Sequence, residues 1–110
     1  MNLKYTKSYD NTVKKLKKFT AQKETLNIIL DIINNSTDFD ELKNNPIVRM
    51  YRFERLKYEL NEFYSFSLEK SGGVIRLIVR PVNNNLLELS YISYDHYEDF
   101  NEERVIYYDE

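Results

Sequence analysis

The spacing of the apolar residues changes once along this chain, near residue 50. That change restricts the fold more than any other feature. Before it, Tyr9, Val13, Leu16 and Phe19 recur at helical spacing, and so do Leu26, Ile29, Leu30 and Ile33. After it, MYRFERLKY (50–58), EFYSFSLEK (62–70), GVIRLIVRPV (73–82) and LLELSYISY (86–94) alternate with period two, as strands do. Helices come first and an antiparallel meander follows, which predicts an α+β domain with its helices packed on one sheet face.

The punctuation supports this order. A short strand is expected over 2–6, after which Ser8 or Asp10 caps a helix by accepting free amide protons at its start. A second helix is expected over 21–34. Ser36 or Thr37 then caps a short third helix that ends before Pro46. SGG at 71–73 and NNN at 83–85 provide the hairpin turns. With only 2 Gly and 2 Pro, the chain is mostly regular structure, and its length suits one compact core.

Alternation also assigns faces. Ile75, Leu77 and Val79 point to the core, so Arg76, Ile78 and Arg80 point away from it. Tyr64, Phe66 and Leu68 oppose Ser65, Ser67 and Glu69 in the same way. An open face bearing arginines and hydroxyls is therefore expected, available to a ligand.

The chain has no cysteine, which removes disulfides, thiolate zinc sites and cysteine nucleophiles together and fits a reducing cytoplasm. Its longest apolar run is VIYY at 105–108, too short for a membrane helix or a secretory signal. The net charge of −2 hides an asymmetry. Residues 1–94 carry 15 Lys/Arg against 11 Asp/Glu, whereas residues 95–110 carry Arg104 against seven acids. A basic body thus ends in an acidic tail, read as solvated or as shielding a basic groove. The lysines at 14, 15, 17 and 18 are either a solvated helix face or a contact for nucleic-acid phosphates.

His96 is the only histidine, and Tyr97 follows it. Alone, the pair is more often structural than catalytic. Its company changes that reading. ERLKYELNEFYS (54–65) contains Glu54, Leu56, Lys57, Leu60, Phe63, Tyr64 and Ser65; RLIV begins at Arg76, and HY follows at 96–97. This order and spacing resemble the RelE/ParE superfamily of type II toxins, most nearly its YoeB branch, over about residues 2–97. The division expected is a toxin domain over 1–97 and an acidic extension over 98–110. The chain differs from that branch in two places. Ser67 stands where those proteins often carry a second arginine, and the chain continues beyond Tyr97.

The resemblance implies a RelE-like microbial RNase fold and a cytoplasmic, ribosome-dependent mRNA endonuclease. It implies attack of the ribose 2′-hydroxyl on the adjacent phosphate, without metal or other cofactor. Glu54 falls at the general base, Arg76 at the phosphate-binding arginine, His96 at the general acid and Tyr97 beside the scissile nucleotide. Lys57 falls at the family's lysine; Arg52 and Arg80 are candidates to replace the missing cation, and Ser65 and Ser67 to complete the RNA surface. The partners implied are an antitoxin, the ribosome and its mRNA, with a homodimer allowed and no membrane. Two alternatives remain open: a gyrase-binding toxin of the ParE kind, and a toxin that retains only antitoxin binding. The chemistry asks for the same residue types on its own terms. RNA carries its own nucleophile, a carboxylate can take the 2′-proton, an imidazole can protonate the leaving oxygen near neutral pH, and a guanidinium can stabilise the charge that builds on phosphorus.

Overall fold

The structure, a computed structural model, describes residues 1–69 and 73–108. A strand β1 (Asn2–Tyr5) leads into α1 (Lys7–Val13), which tightens into a 3₁₀ segment over Lys14–Lys18. Helices α2 (Thr20–Asn35) and α3 (Phe39–Asn44) follow, then a 3₁₀ turn over Pro46–Tyr51. The remaining strands are β2 (Glu54–Arg55), β3 (Tyr64–Ser67), β4 (Arg76–Asn83) and β5 (Leu86–Ser93). They form one sheet in the order β1-β5-β4-β3-β2. All neighbours are antiparallel except β1, which pairs with β5 in parallel. This is the α+β arrangement expected from the change in period.

The helix caps differ from those expected. Thr6 caps α1: its Oγ1 accepts from Tyr9 N at 2.9 Å while donating to the Ser90 carbonyl at 2.8 Å. Ser8 and Asp10 lie inside the helix instead. Asp38 caps α3, accepting from Glu41 N at 2.9 Å, because the Ser36 hydroxyl donates back to the Ile32 carbonyl at 2.8 Å. A serine that bonds to its own preceding helix has no oxygen directed at the next one.

The first strand expected in the meander is mostly not a strand. Asn45 Oδ1 accepts from Ile47 N at 2.9 Å and Pro46 opens the 3₁₀ turn, which Arg52 ends in the left-handed region at φ 50°. Tyr58 is left-handed as well, at φ 58°. Only Glu54 and Arg55 between these two kinks remain extended enough to pair, opposite Ser65 and Tyr64. The NNN turn forms as expected, over Asn84–Asn85. Ser71 and Gly72 of the SGG turn lie outside the described residues.

The main core lies between the helices and one sheet face. Leu16, Leu26, Ile29, Ile33 and Leu42 meet Phe66, Leu77, Val79, Leu87 and Leu89 there. The opposite face is not open, contrary to the reading from alternation. Ile78 packs into a second cluster with Leu56, Phe63, Phe100 and Val105. Alternation placed Ile78 correctly on the far face, but not the segments that cover it. The acidic tail is anchored at two apolar residues, while most of its described length stays exposed. Phe100 and Val105 are buried, and Ile106 N donates to Ser8 Oγ at 2.5 Å while Ser8 Oγ donates to the Arg104 carbonyl at 2.7 Å. The apolar residues at 100 and 105 bury themselves, and the acids between them face water.

Candidate active site

The second cluster leaves one cleft beside it, of about 370 Å³, lined by the segment 54–57 with Leu60, His96 and Tyr97. Two stretches far apart in sequence build its walls. The first is β2 and the turn after it, held on the sheet by the pairing of Glu54 with Ser65 and by the bond from Leu56 N to the Phe63 carbonyl at 2.9 Å. The second is the loop that leaves β5 at Ser93.

That loop has an unusual backbone. His96 and Tyr97 both occupy the left-handed region, at φ 52° and 68°, which side-chain-bearing residues seldom adopt. Such residues cost on the order of 1–3 kcal/mol each and persist only where surrounding bonds hold them. Here those bonds are identifiable. Asp99 Oδ1 accepts from Ser93 Oγ at 2.6 Å and its Oδ2 accepts from Tyr94 N at 3.0 Å. Ser93 Oγ in turn accepts from Tyr97 N at 2.9 Å, and His96 N donates to the Val74 carbonyl at 3.0 Å. Asp99 thus fixes the loop.

The clamp directs the Tyr97 phenol into the cleft. Its Oη donates to Glu54 Oε1 at 2.6 Å and accepts from Arg76 Nη1 at 3.3 Å, with Ser65 Oγ at 3.5 Å. Burial, and then the bond to Glu54, push the phenol above its ordinary range, so it remains a neutral donor. The Arg76 guanidinium also lies 5.4 Å from the Tyr97 ring centroid. Three of the four expected residues therefore form one hydrogen-bonded chain, Glu54–Tyr97–Arg76. The fourth, His96, is exposed and lines the same cleft, with its ring 4.7 Å from that of Tyr97 and tilted by 56°. Its imidazole makes no hydrogen bond among the described residues.

Arg76 is not on an open surface as expected. It is 1% exposed, lies across from Ser67 and Ser93 on the neighbouring strands, and sits beneath Tyr97. Its Nε donates to the Gly73 carbonyl at 3.2 Å, and no carboxylate forms an ion pair with it among the described residues. A buried cation without an anion is costly, and an incoming anion relieves that cost.

The secondary set separates. Lys57 lines the cleft and Ser65 contacts Tyr97. Ser67 turns its hydroxyl to the Glu69 carbonyl at 2.6 Å. Arg80 is held by Glu88, at 3.0 Å, with Glu88 fully buried and also accepting from Ser90 Oγ at 2.6 Å. Arg52 caps the 3₁₀ turn outside the cleft lining. Neither Arg52, Arg80 nor Ser67 reaches the cleft; Arg55, not singled out from the sequence, does. Its position within ERLK is the signal that would have found it. Nothing in the sequence marks Ser93 and Asp99 as a pair. Among the described residues no three His, Cys, Asp or Glu side chains gather to hold a metal.

No family model matches the sequence. No curated protein matches it either. Solved structures do. YafQ from E. coli strain BL21(DE3) superposes with a TM-score of 0.67 at 17% identity, over 91% of this chain and 98% of YafQ. YafQ in the E. coli DinJ-YafQ complex gives 0.66 at 16% identity, over 91% and 98%. The YoeB dimer from Staphylococcus aureus gives 0.59 at 18% identity, over 86% of this chain and 95% of YoeB. The helices, the five-stranded mixed sheet and their order are those of the RelE-like α+β fold shared by the YafQ and YoeB toxins.

Proposed function

We propose that this chain is the toxin of a type II toxin–antitoxin pair and cleaves mRNA on the ribosome. One observation carries the reading. A carboxylate (Glu54) and an unengaged imidazole (His96) line a single cleft with Tyr97, and a buried guanidinium without an acid partner (Arg76) lies beneath that tyrosine, bonded to its hydroxyl. These are the groups that RNA self-cleavage requires, and no protein nucleophile is needed beside them.

In this reading Glu54 takes the proton from the ribose 2′-hydroxyl as that oxygen bonds to phosphorus. The bond from phosphorus to the 5′-oxygen breaks, and His96 in its imidazolium form gives that oxygen a proton. The products are a 2′,3′-cyclic phosphate and a 5′-hydroxyl. Arg76 stabilises the charge gathered on the phosphoryl oxygens, where a fixed donor in a dry site acts most strongly. Because Tyr97 covers Arg76, entry of RNA shifts the phenol; its ring then stacks on an unpaired base, worth about 1–3 kcal/mol. Lys57 and Arg55 supply phosphate contacts along the wall. DinJ-YafQ is a toxin–antitoxin complex and YoeB is a dimer, which supports an antitoxin partner for this chain and leaves self-association as a further state. No helix among the described residues is long and apolar enough to cross a membrane. A cytoplasmic site of action follows from the ribosomal substrate.

The test is cleavage of a defined mRNA, free and bound to programmed bacterial ribosomes, with the ends identified chemically. The expected result is rapid cleavage only on the ribosome, leaving 2′,3′-cyclic phosphate and 5′-hydroxyl ends. Intact ribosome-bound mRNA, or ends bearing a 5′-phosphate, overturns the reading.

A further inference from the structure

The turn after β2 presents an aromatic ring to solvent. Tyr58 is 84% exposed, whereas the next most exposed large apolar side chains among the described residues, Met50 and Ile106, are 55% exposed. Among the described residues no other aromatic ring packs on it and no cation lies over it. It belongs to neither apolar cluster. Its backbone is left-handed, at φ 58°, a conformation that disfavours any side chain and that glycine adopts freely. The turn is nevertheless well held. Leu60 N donates to the Lys57 carbonyl at 3.2 Å, Asn61 N to the Tyr58 carbonyl at 3.1 Å, and Arg55 Nε to the Asn61 carbonyl at 2.6 Å. None of these bonds uses the Tyr58 side chain, so the fold gains nothing from the ring and is strained by carrying it. Tyr58 falls between Lys57 and Leu60, which both line the cleft, but does not line it itself.

From this placement we infer that Tyr58 is a stacking platform for an unpaired RNA base at a nucleotide flanking the one that is cleaved. The inference deepens the RNA-cleavage reading and takes its ligand from it. Left-handed residues other than glycine persist where a binding site uses them, and here the use is the ring, since the turn does not need it. An unpacked aromatic face accepts any base, because every base has a π-face of its own. The charges beside it give the direction of the strand. Arg55 and Lys57 precede the ring and line the cleft, whereas Glu59 follows it and does not. Phosphates therefore run along the Arg55–Lys57 side and leave the bases over the turn. A protein partner fits less well. The chain neighbours of Tyr58, Lys57 and Glu59, are exposed and charged, whereas the centre of a protein interface is depleted of charge. Because Tyr58 lies outside the cleft lining, its base is not the one held at Tyr97.

The test compares the full chain with Tyr58→Gly and Tyr58→Phe in cleavage of mRNA on programmed ribosomes. A stacked base is worth about 5- to 150-fold in affinity. In Tyr58→Gly, kcat/KM should fall by that range while kcat at saturation changes by less than about twofold. Tyr58→Phe keeps the ring and should restore the wild-type value to within about twofold. Glycine relieves the left-handed backbone, so the unfolding midpoint of Tyr58→Gly should not fall, and lost stability cannot explain the loss of affinity. Abasic nucleotides placed one at a time beside the cleaved site locate the base. One position should reproduce the loss in the wild-type chain and add nothing in Tyr58→Gly. Wild-type kinetics in Tyr58→Gly overturns the inference and leaves the cleavage reading standing. Loss of affinity that no abasic position reproduces also overturns it, and reassigns the ring to a protein contact. If the wild-type chain cleaves nothing, the cleavage reading falls, and a second measurement decides the inference: anisotropy of a labelled 2′-O-methyl oligoribonucleotide, which lacks the nucleophile. Binding that weakens about fivefold or more in Tyr58→Gly sustains the platform; no binding, or equal binding, overturns it.

Discussion

Asp99 receives the Ser93 hydroxyl at 2.6 Å, and through that hydroxyl it fixes Tyr97, whose N–H donates to Ser93 Oγ at 2.9 Å. Asp99 itself lines no part of the cleft, and the other strained residue there, His96, is held by its N–H to the Val74 carbonyl at 3.0 Å. Asp99→Ala removes an acceptor used twice. Hydrogen bonds to charged groups contribute about 1.5–3 kcal/mol each, so a loss of about 3–6 kcal/mol is expected in urea unfolding. Cleavage should fall as well under conditions where the variant is folded, because Tyr97 no longer holds Glu54 and Arg76 in register. A variant with unchanged stability would show that the loop is held by other means.

The tail is expected to act as part of the core. Phe100 is 5% exposed and meets Phe63 edge-on at 5.1 Å and Tyr91 at 5.2 Å. Phe100→Ala should cost about 3–5 kcal/mol, the usual loss when a buried aromatic leaves a cavity. A solvated residue would shift the unfolding midpoint by no more than about 0.5 kcal/mol. Equilibrium denaturation decides between these values.

Alkaline pH should unfold the protein through its tyrosines. Burial, with the Asp99 charge second, pushes Tyr94 up to about 12, and burial pushes Tyr9 up as well. In the unfolded chain both titrate near 10, so between about pH 10 and 12 the folded state binds more protons. Their contribution is therefore complete below about pH 10 and declines as pH rises through the folded values. Tyr94→Phe should flatten this decline. At neutral pH it should cost about 1 kcal/mol, because the Tyr94 hydroxyl donates to the Thr12 carbonyl at 2.8 Å. Urea unfolding at several alkaline pH values measures both effects; an unchanged alkaline slope would contradict the assignment.

What the sequence revealed, and what it concealed, divides along physical lines. Periodicity exposed the helices and the β3–β5 meander, because burial on one face imposes a repeat that any window of residues displays. Glu54, Arg76, His96 and Tyr97 were legible as an ordered set, and the fold brings them to one place. The open face was misread because alternation tells which way Ile78 points but not that Phe100 and Val105 return to cover it. The caps at Thr6 and Asp38 were misassigned because neighbouring serines compete for the same role, and only the fold shows that Ser8 binds the tail. Arg80 looked like a free cation because its partner, Glu88, meets it only through strand register. The Ser93–Asp99 clamp left no sequence trace, since an ordinary pair of polar residues has no periodicity.

The central claim is that His96 transfers a proton to the leaving 5′-oxygen, and His96→Gln tests it most directly. Glutamine keeps polar bulk but cannot protonate an alkoxide. The imidazole is exposed and makes no hydrogen bond among the described residues, so the fold should be undisturbed. The measurement is the mapping of mRNA 5′ ends in bacteria after induction of wild-type or His96→Gln protein at matched levels. A positioned acid contributes about 100- to 10,000-fold, so cleavage should fall by at least about 100-fold, with the circular dichroism spectrum and unfolding midpoint unchanged. Cleavage by His96→Gln at the wild-type rate would contradict the account.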